Sequence, residues 1–319
     1  MTTNREHAGG AAAKRRAQLK KLYFQMSRAA LLDKQLDDIV DDYDAGVLTG
    51  EHFESGGLIL TGESGSGKTR EIDKALARLK QRRPVLECGR ETRVLQVFLD
   101  GESTWKAVGL QILEDLGYPT DARRTEHDIW YRVRAQMEGQ GIWLLHLDEC
   151  QHMFQTTGDK ETKKIINSLK SRLKNRNWQI VLVLTGIPEL AEKLSSDNQL
   201  HDKFKWAELP PIDPEGGELD ELDTAFCGFA EAVGVDISEV RSEDTYRRMS
   251  YGHRDLFGRT FRFMIDVLAK LPPGTTNLTM DHLADRFAER MVQNIPGNNV
   301  FLRDDYLACD VSGVRDSSI

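Results

Sequence analysis

Gly62, Glu63, Ser64, Gly65, Ser66, Gly67, Lys68 and Thr69 match the pattern G-x-x-x-x-G-K-[ST] in full. Residues of these types at this spacing can hold a chain of phosphates. Glycines let backbone N–H groups wrap the anion, and a helix starting at the loop turns its positive end toward the same point. The Lys68 ammonium is then in reach of the β- and γ-phosphates, and the Thr69 hydroxyl can ligate Mg2+. Contacts to ATP are expected along these eight residues and at the adjoining Arg70.

A second group lies about 80 residues on. Residues 142–147 form an apolar run broken only by His146, and the run ends in Asp148 and Glu149. Beside a phosphate loop, Asp148 would hold Mg2+ through water. Glu149 would polarise the attacking water as general base, which favours hydrolysis over binding alone. An acidic pair at a strand end also serves as a helix cap. A third strand end supplies Thr185, whose hydroxyl could reach the γ-phosphate or the attacking water. The same hydroxyl could instead cap the helix expected at Pro188.

The elements that must carry these groups follow from periodicity. Gly56 and Gly57 precede a short apolar strand at Leu58, Ile59 and Leu60, and the loop then leads into a segment of helical period. Strands are expected again at 94–99, 142–147 and 180–184, with helices at 103–116, 125–138 and 160–174 between them. Strand and helix in alternation imply an α/β domain with a parallel sheet flanked by helices. Leu209, Pro210 and Pro211 interrupt this order, and residues 217–290 hold helical segments without a convincing strand. The expected organisation is a disordered basic arm over 1–18, an α/β domain over 19–212, an all-α lid over 213–292 and a tail over 293–319. The tail, with Val300, Phe301, Leu302, Asp304, Asp305, Tyr306 and Leu307, reads as a partner-docking segment or a disordered end.

The chain has 319 residues and a formal net charge of −8, so it is not expected to coat nucleic acid over its whole surface. Local basic segments exist at Lys14, Arg15, Arg16, Lys20, Lys21 and Arg28, and at Lys163, Lys164, Lys170, Arg172, Lys174 and Arg176. Either reads as a solvated helix face or as a contact. The acids Asp33, Asp37, Asp38, Asp41, Asp42 and Asp44 follow the first segment. Four cysteines without a CxxC pair fit reduced thiols rather than a disulfide or zinc framework. No apolar run approaches the ~20 residues of a membrane helix, and the N-terminus lacks a secretory core, so a cytoplasmic location is expected.

Together, the phosphate loop, the Asp-Glu strand end, the polar residue on the next strand and the helical lid resemble the AAA+ layout. Asp148-Glu149-Cys150-Gln151-His152-Met153 is similar to the DE-x-(Q/H)-H-(L/M) signature of transposition ATPases of the TniB/TnsC type. Residues 185–190, 198–204 and 209–211 resemble that family's stretch before its lid. The resemblance covers roughly residues 20–290 and implies a mechanism. Such proteins polymerise on double-stranded DNA with ATP bound, mark a target and recruit the transposase, and hydrolysis takes the filament apart. It also implies a bacterial, nucleoid-associated protein whose ATP lies between subunits, with a basic residue from the neighbour reaching the γ-phosphate.

At the position where the family usually has that arginine, this chain has Lys203, with Lys205 close by. Lysine is a point charge without the planar fork of arginine, so slow hydrolysis, or a finger from elsewhere, is expected. Residues 252–259 resemble the segment that holds the AAA+ sensor arginine, with Arg259 the first candidate and Arg254 the second. Backbone contacts to DNA are assigned to Lys106, Arg123, Arg124 and Thr125, since a filament needs only a few such groups per subunit. Two other readings stand beside this one. One is a signalling or defence NTPase switch that never touches DNA; the other is a helicase-loader-like ATPase.

Overall fold

The computed structural model describes residues 3–155, 158–174, 178–293, 295 and 297–315. Its helices are α1 (Thr3–Lys21), α2 (Ser27–Leu48), α3 (Lys68–Arg82), α4 (Trp105–Asp115), α5 (Glu126–Gly139), α6 (Asp159–Leu173), α7 (Pro188–Ser195), α8 (Asn198–Lys203), α9 (Glu218–Val233), α10 (Glu243–Gly252), α11 (Phe257–Lys270) and α12 (Met280–Arg290). Its strands are β1 (Gly57–Thr61), β2 (Val94–Phe98), β3 (Leu144–Asp148), β4 (Val181–Gly186) and β5 (Phe204–Glu208). The chain divides into two compact units. One comprises residues 27–64 and 68–209; the other comprises residues up to Met26, Gly65–Gly67 and the chain from Pro210 onward.

The first unit is a parallel sheet in the order β2-β3-β4-β1-β5. The central strands β1, β3 and β4 are buried along their whole length, as helices on both faces require. Alternation sorts their side chains. Leu58, Leu60, Leu144, Val181 and Val183 pack with α2 and α3, while Ile59, Leu145, Leu147, Leu182 and Leu184 face the core shared with α4 to α8. Helix α3 offers the stripe Ile72, Ala75, Leu76 and Leu79, all buried. Each fully buried Leu or Ile of this kind contributes about 2 kcal/mol. The acidic run of α2 meets the basic end of α3, with Arg78 2.8 Å from Asp33 and Arg82 3.0 Å from Asp37.

Strand β5 has no counterpart among the expected elements. It is an edge strand paired only with β1, and its burial is partial, so the sequence there carries no apolar run. The division between units falls at Leu209 and Pro210 rather than at 212.

The second unit is helical around Phe226, Phe229, Phe263 and Phe287. Two departures from expectation concern the chain ends. The described part of the expected disordered arm, residues 3–18, is helical, lying within α1. Its Ala, Lys, Arg, Gln and Leu are strong helix formers, and Leu19 is fully buried in the helical core. Arg16 pairs with the buried Asp266, and Arg15 donates to Leu271 O at 2.9 Å. The described stretch 297–315 of the tail is also built into this unit. Val300 is fully buried, Phe301 stacks on Phe263 at 5.6 Å between centroids, and Val314 bridges to Met291. Among the described residues no helix is long and apolar enough to cross a membrane.

Candidate functional site

The phosphate-loop pattern links β1 to α3. Lys68 is the first residue of α3 and only 5% exposed, and its Nζ donates to Gly62 O at 2.8 Å and Glu63 O at 3.1 Å. Burial lowers its pKa, opposed by the charges of Glu149, Asp148 and Glu63. The Thr69 hydroxyl donates to Asp148 Oδ2 at 2.7 Å, which joins the loop to the end of β3.

Strand register brings the third polar residue in. Leu147 pairs with Leu184 across β3 and β4, so His146, Asp148 and Thr185 alternate onto the face that carries Leu144, Val181 and Val183. Thr185, fully buried, donates its hydroxyl hydrogen to Asp148 Oδ1. It does not cap α7, whose N-cap is Ile187 without a side-chain bond. Its oxygen lies 3.0 Å from His146 Nε2, and His146 Nδ1 lies 3.2 Å from Gln96 Nε2. Because an amide nitrogen only donates, Nδ1 accepts and Nε2 carries the hydrogen. One direction then satisfies the whole row from Gln96 through His146 and Thr185 to Asp148. Burial holds His146 neutral, with its pKa lowered to about 4 against the pull of Asp148.

The row was not assigned from sequence. His146 stood out only as the polar residue in an apolar strand, and the residues it joins depend on register. Gln96 ends the row at the edge strand, where it also donates to Asp73 at 2.7 Å.

Glu149 follows in a left-handed conformation, φ 58° and ψ 39°, which a non-glycine residue rarely adopts. It occupies the N-cap position of the 3-10 turn Cys150–Met153 without a side-chain capping bond. Its carboxylate accepts from Gln151 Nε2.

Gly65 and Gly67, with φ of 95° and 94°, adopt backbone that disfavours any side chain. Gly65 groups with the helical unit, where its carbonyl accepts from the Arg259 backbone N–H at 3.1 Å. A Cβ added at Gly65 would lie 2.7 Å from Arg259 Nε, so that side chain runs along the loop residue. Arg254 is exposed at φ 62°.

Lys203 ends α8 and is exposed, with its Nζ 3.4 Å from Glu54. Lys174 approaches the same carboxylate at 3.6 Å. The basic face of α6 is largely paired: Lys164 meets Glu126, and Lys170 meets Asp197 at 2.8 Å. Arg176 lies outside the described residues.

The residues assigned to DNA come together in one exposed region. Lys106 Nζ donates to Ala122 O at 2.8 Å, beside Arg123 and Arg124. Thr125 is the N-cap of α5, accepting from Asp128 N at 3.2 Å and donating to its carboxylate at 2.9 Å.

A family model described as Bacterial TniB protein matches residues 24–214. No curated protein matches the sequence. Similar solved structures include the Aeropyrum pernix ORC2 protein in its ADPNP-ADP complexes, at TM-score 0.56 and 16% identity, covering 88% of this chain and 72% of that one. The Aeropyrum pernix ORC1 protein in complex with DNA has TM-score 0.59 and 18% identity, covering 86% and 69%. CDC6P from Pyrobaculum aerophilum has TM-score 0.57 and 13% identity, covering 84% and 68%. At such identities the likeness shows the fold alone, a parallel sheet flanked by helices.

Proposed function

This chain belongs to the TniB family, and from that premise we propose that it is an ATP-dependent regulator of transposition that assembles on double-stranded DNA. The observation that carries the reading is the convergence of Thr69, Asp148 and Thr185 beside Lys68. The donor set fits Mg2+ and ATP. A hydroxyl and a carboxylate are hard oxygen ligands of the kind Mg2+ takes together with phosphates and waters. Lys68, held on the carbonyls of Gly62 and Glu63, would exchange these acceptors for phosphate oxygens.

Mg2+ and ATP, when bound, supply the transferable phosphoryl group and the charge that neutralises its oxygens. The residues of the chain do the rest. Residues 62–70 bind the nucleotide, with Lys68 on its terminal phosphates. Thr69 and Asp148 hold the metal, Glu149 takes the proton of the attacking water, and Thr185 orients Asp148 and reads the γ-phosphate. Arg259 acts as the sensor arginine, and Lys203 of a neighbouring subunit is the candidate finger. Its ion pair with Glu54 must open for that, which fits slow, assembly-dependent turnover.

Lys106, Arg123, Arg124 and Thr125 would track the DNA backbone without reading bases. In this reading, ATP-bound subunits form a helical filament or ring in the bacterial cytoplasm, on nucleoid DNA. They mark the target and recruit the transposase, with or without a separate targeting factor, and hydrolysis releases them. A switch that never touches DNA gains some support from Asp121 and Asp128, which bond within the basic region.

Electron microscopy with ATP, with and without duplex DNA, separates the two. Filaments that require both ATP and duplex are expected. Closed rings driven by nucleotide without DNA would contradict the reading.

A further inference from the structure

Two acids end β3, and one short turn holds both. Asp148 is held from Thr185, as described above. Two residues later the same turn reaches Glu149 by another route. Gln151 is 7% exposed; its Nε2 donates to Glu149 Oε2, and its Oε1 accepts from the Ile187 backbone N–H at 3.3 Å. Gly186, between Thr185 and Ile187, makes room for this amide. A Cβ there would stand 2.7 Å from Gln151 Oε1, closer than packed atoms allow.

The backbone explains why Glu149 needs such a partner. Its left-handed conformation costs of order 1 kcal/mol and directs the side chain away from a strand's ordinary course. Local bonds brace the segment that follows: Cys150 Sγ to Leu147 O at 3.0 Å, His152 N to Glu149 O at 3.0 Å and Phe154 N to Gln151 O at 2.8 Å. None of these fixes the carboxylate. Only the Gln151 amide does so among these bonds, and an amide suits the task. A neutral donor orients an anion through a directional, charge-assisted hydrogen bond.

We propose that Gln151 is a positioning residue that ties the Glu149 carboxylate to the turn of Thr185, Gly186 and Ile187, so that this one turn sets the relative placement of both acids. The proposal rests on the reading of Glu149 as general base. A change at Thr185 would then move Asp148 directly and Glu149 through Gln151.

The test uses the full chain with duplex DNA and compares ATP turnover, nucleotide affinity and thermal midpoint. Gln151→Met keeps length and packing but removes both bonds. Gln151→Glu keeps the shape and the bond from Ile187, yet cannot donate to Glu149 when ionised and sets a like charge against it. Both should lower kcat about 10-fold or more, within the cost of small misplacements of a reacting group, with nucleotide affinity unchanged. Gln151→Glu should fall at least as far as Gln151→Met, an order that packing alone would not produce. In the Glu149→Gln background neither change should add a further loss.

Turnover of Gln151→Glu equal to the parent chain, or a raised KM with kcat unchanged, would overturn the proposal while leaving the hydrolytic site intact. A parent chain that binds ATP but never hydrolyses it would overturn the reading of the site and the proposal together.

Discussion

The strand-end cluster and the basic region before α5 hold polar residues in opposite ways. In the cluster, Thr185 is fully buried, His146 is 1% exposed and Asp148 3%, and each bonds to another member. In the basic region Arg123, Arg124 and Thr125 are exposed, and the bonds there serve the helix cap and the turn. The difference fits the two kinds of work proposed for them. Phosphoryl chemistry depends on fixed distances, so its groups must be locked by neighbours. Contact with a phosphate backbone depends on summed charge, so its groups can remain in water.

Substitution in the cluster should therefore be abrupt, and in the basic region graded. The largest effect is expected for Lys68→Ala, which removes the ammonium proposed to meet the phosphates. Nucleotide affinity, followed with a fluorescent ATP analogue, should fall by roughly 100-fold or more, since charge-assisted bonds to phosphate are lost. Thr185→Val comes next. It keeps the shape but leaves the His146 Nε2–H without its acceptor in the interior and removes one of the two donors to Asp148 Oδ1, the other being the Glu149 backbone N–H. That costs about 1–3 kcal/mol of stability, seen in chemical denaturation, and should lower turnover by about 100-fold.

A buried histidine in the other unit shows what burial does without a reacting group. His253 is 2% exposed, with Nδ1 2.8 Å from Met249 O. Burial first, then the charge of Arg290, lowers its pKa from 6.5 to about 3. The unfolded chain takes up this proton below its ordinary pKa, while the folded chain resists. The contribution of His253 is thus complete above pH 6.5 and is lost progressively as the pH falls toward about 3. Thermal midpoints measured across that range should fall, and His253→Phe should flatten the decline. Arg124→Ala should give the smallest change. DNA affinity should drop modestly, the salt dependence should lose about one unit of slope, and the thermal midpoint should stay put.

The parts legible in sequence were those whose chemistry fixes residue type and spacing. Residues 62–69 and the Asp148-Glu149 strand end are of that kind, and so is the alternation that gives four of the five strands. What escaped depends on contacts between distant segments. The bonds of His146 need the β3–β4 register, and those of Gln151 need both the backbone of Glu149 and the space at Gly186. Strand β5 is half-exposed, so its burial pattern is weak. Helix α1 looked like a basic arm because its anchors, Asp266 and the core around Leu19, lie more than 200 residues away or are hidden from local composition.

The central claim is that ATP binding builds an assembly on DNA and hydrolysis removes it. Sedimentation of the chain with duplex DNA after a limited dose of ATP tests it most directly. The parent chain should sediment with the duplex and return to the supernatant as ATP is consumed, whereas Glu149→Gln should stay bound. Loss of both at the same rate, or sedimentation that ignores ATP, would contradict the account.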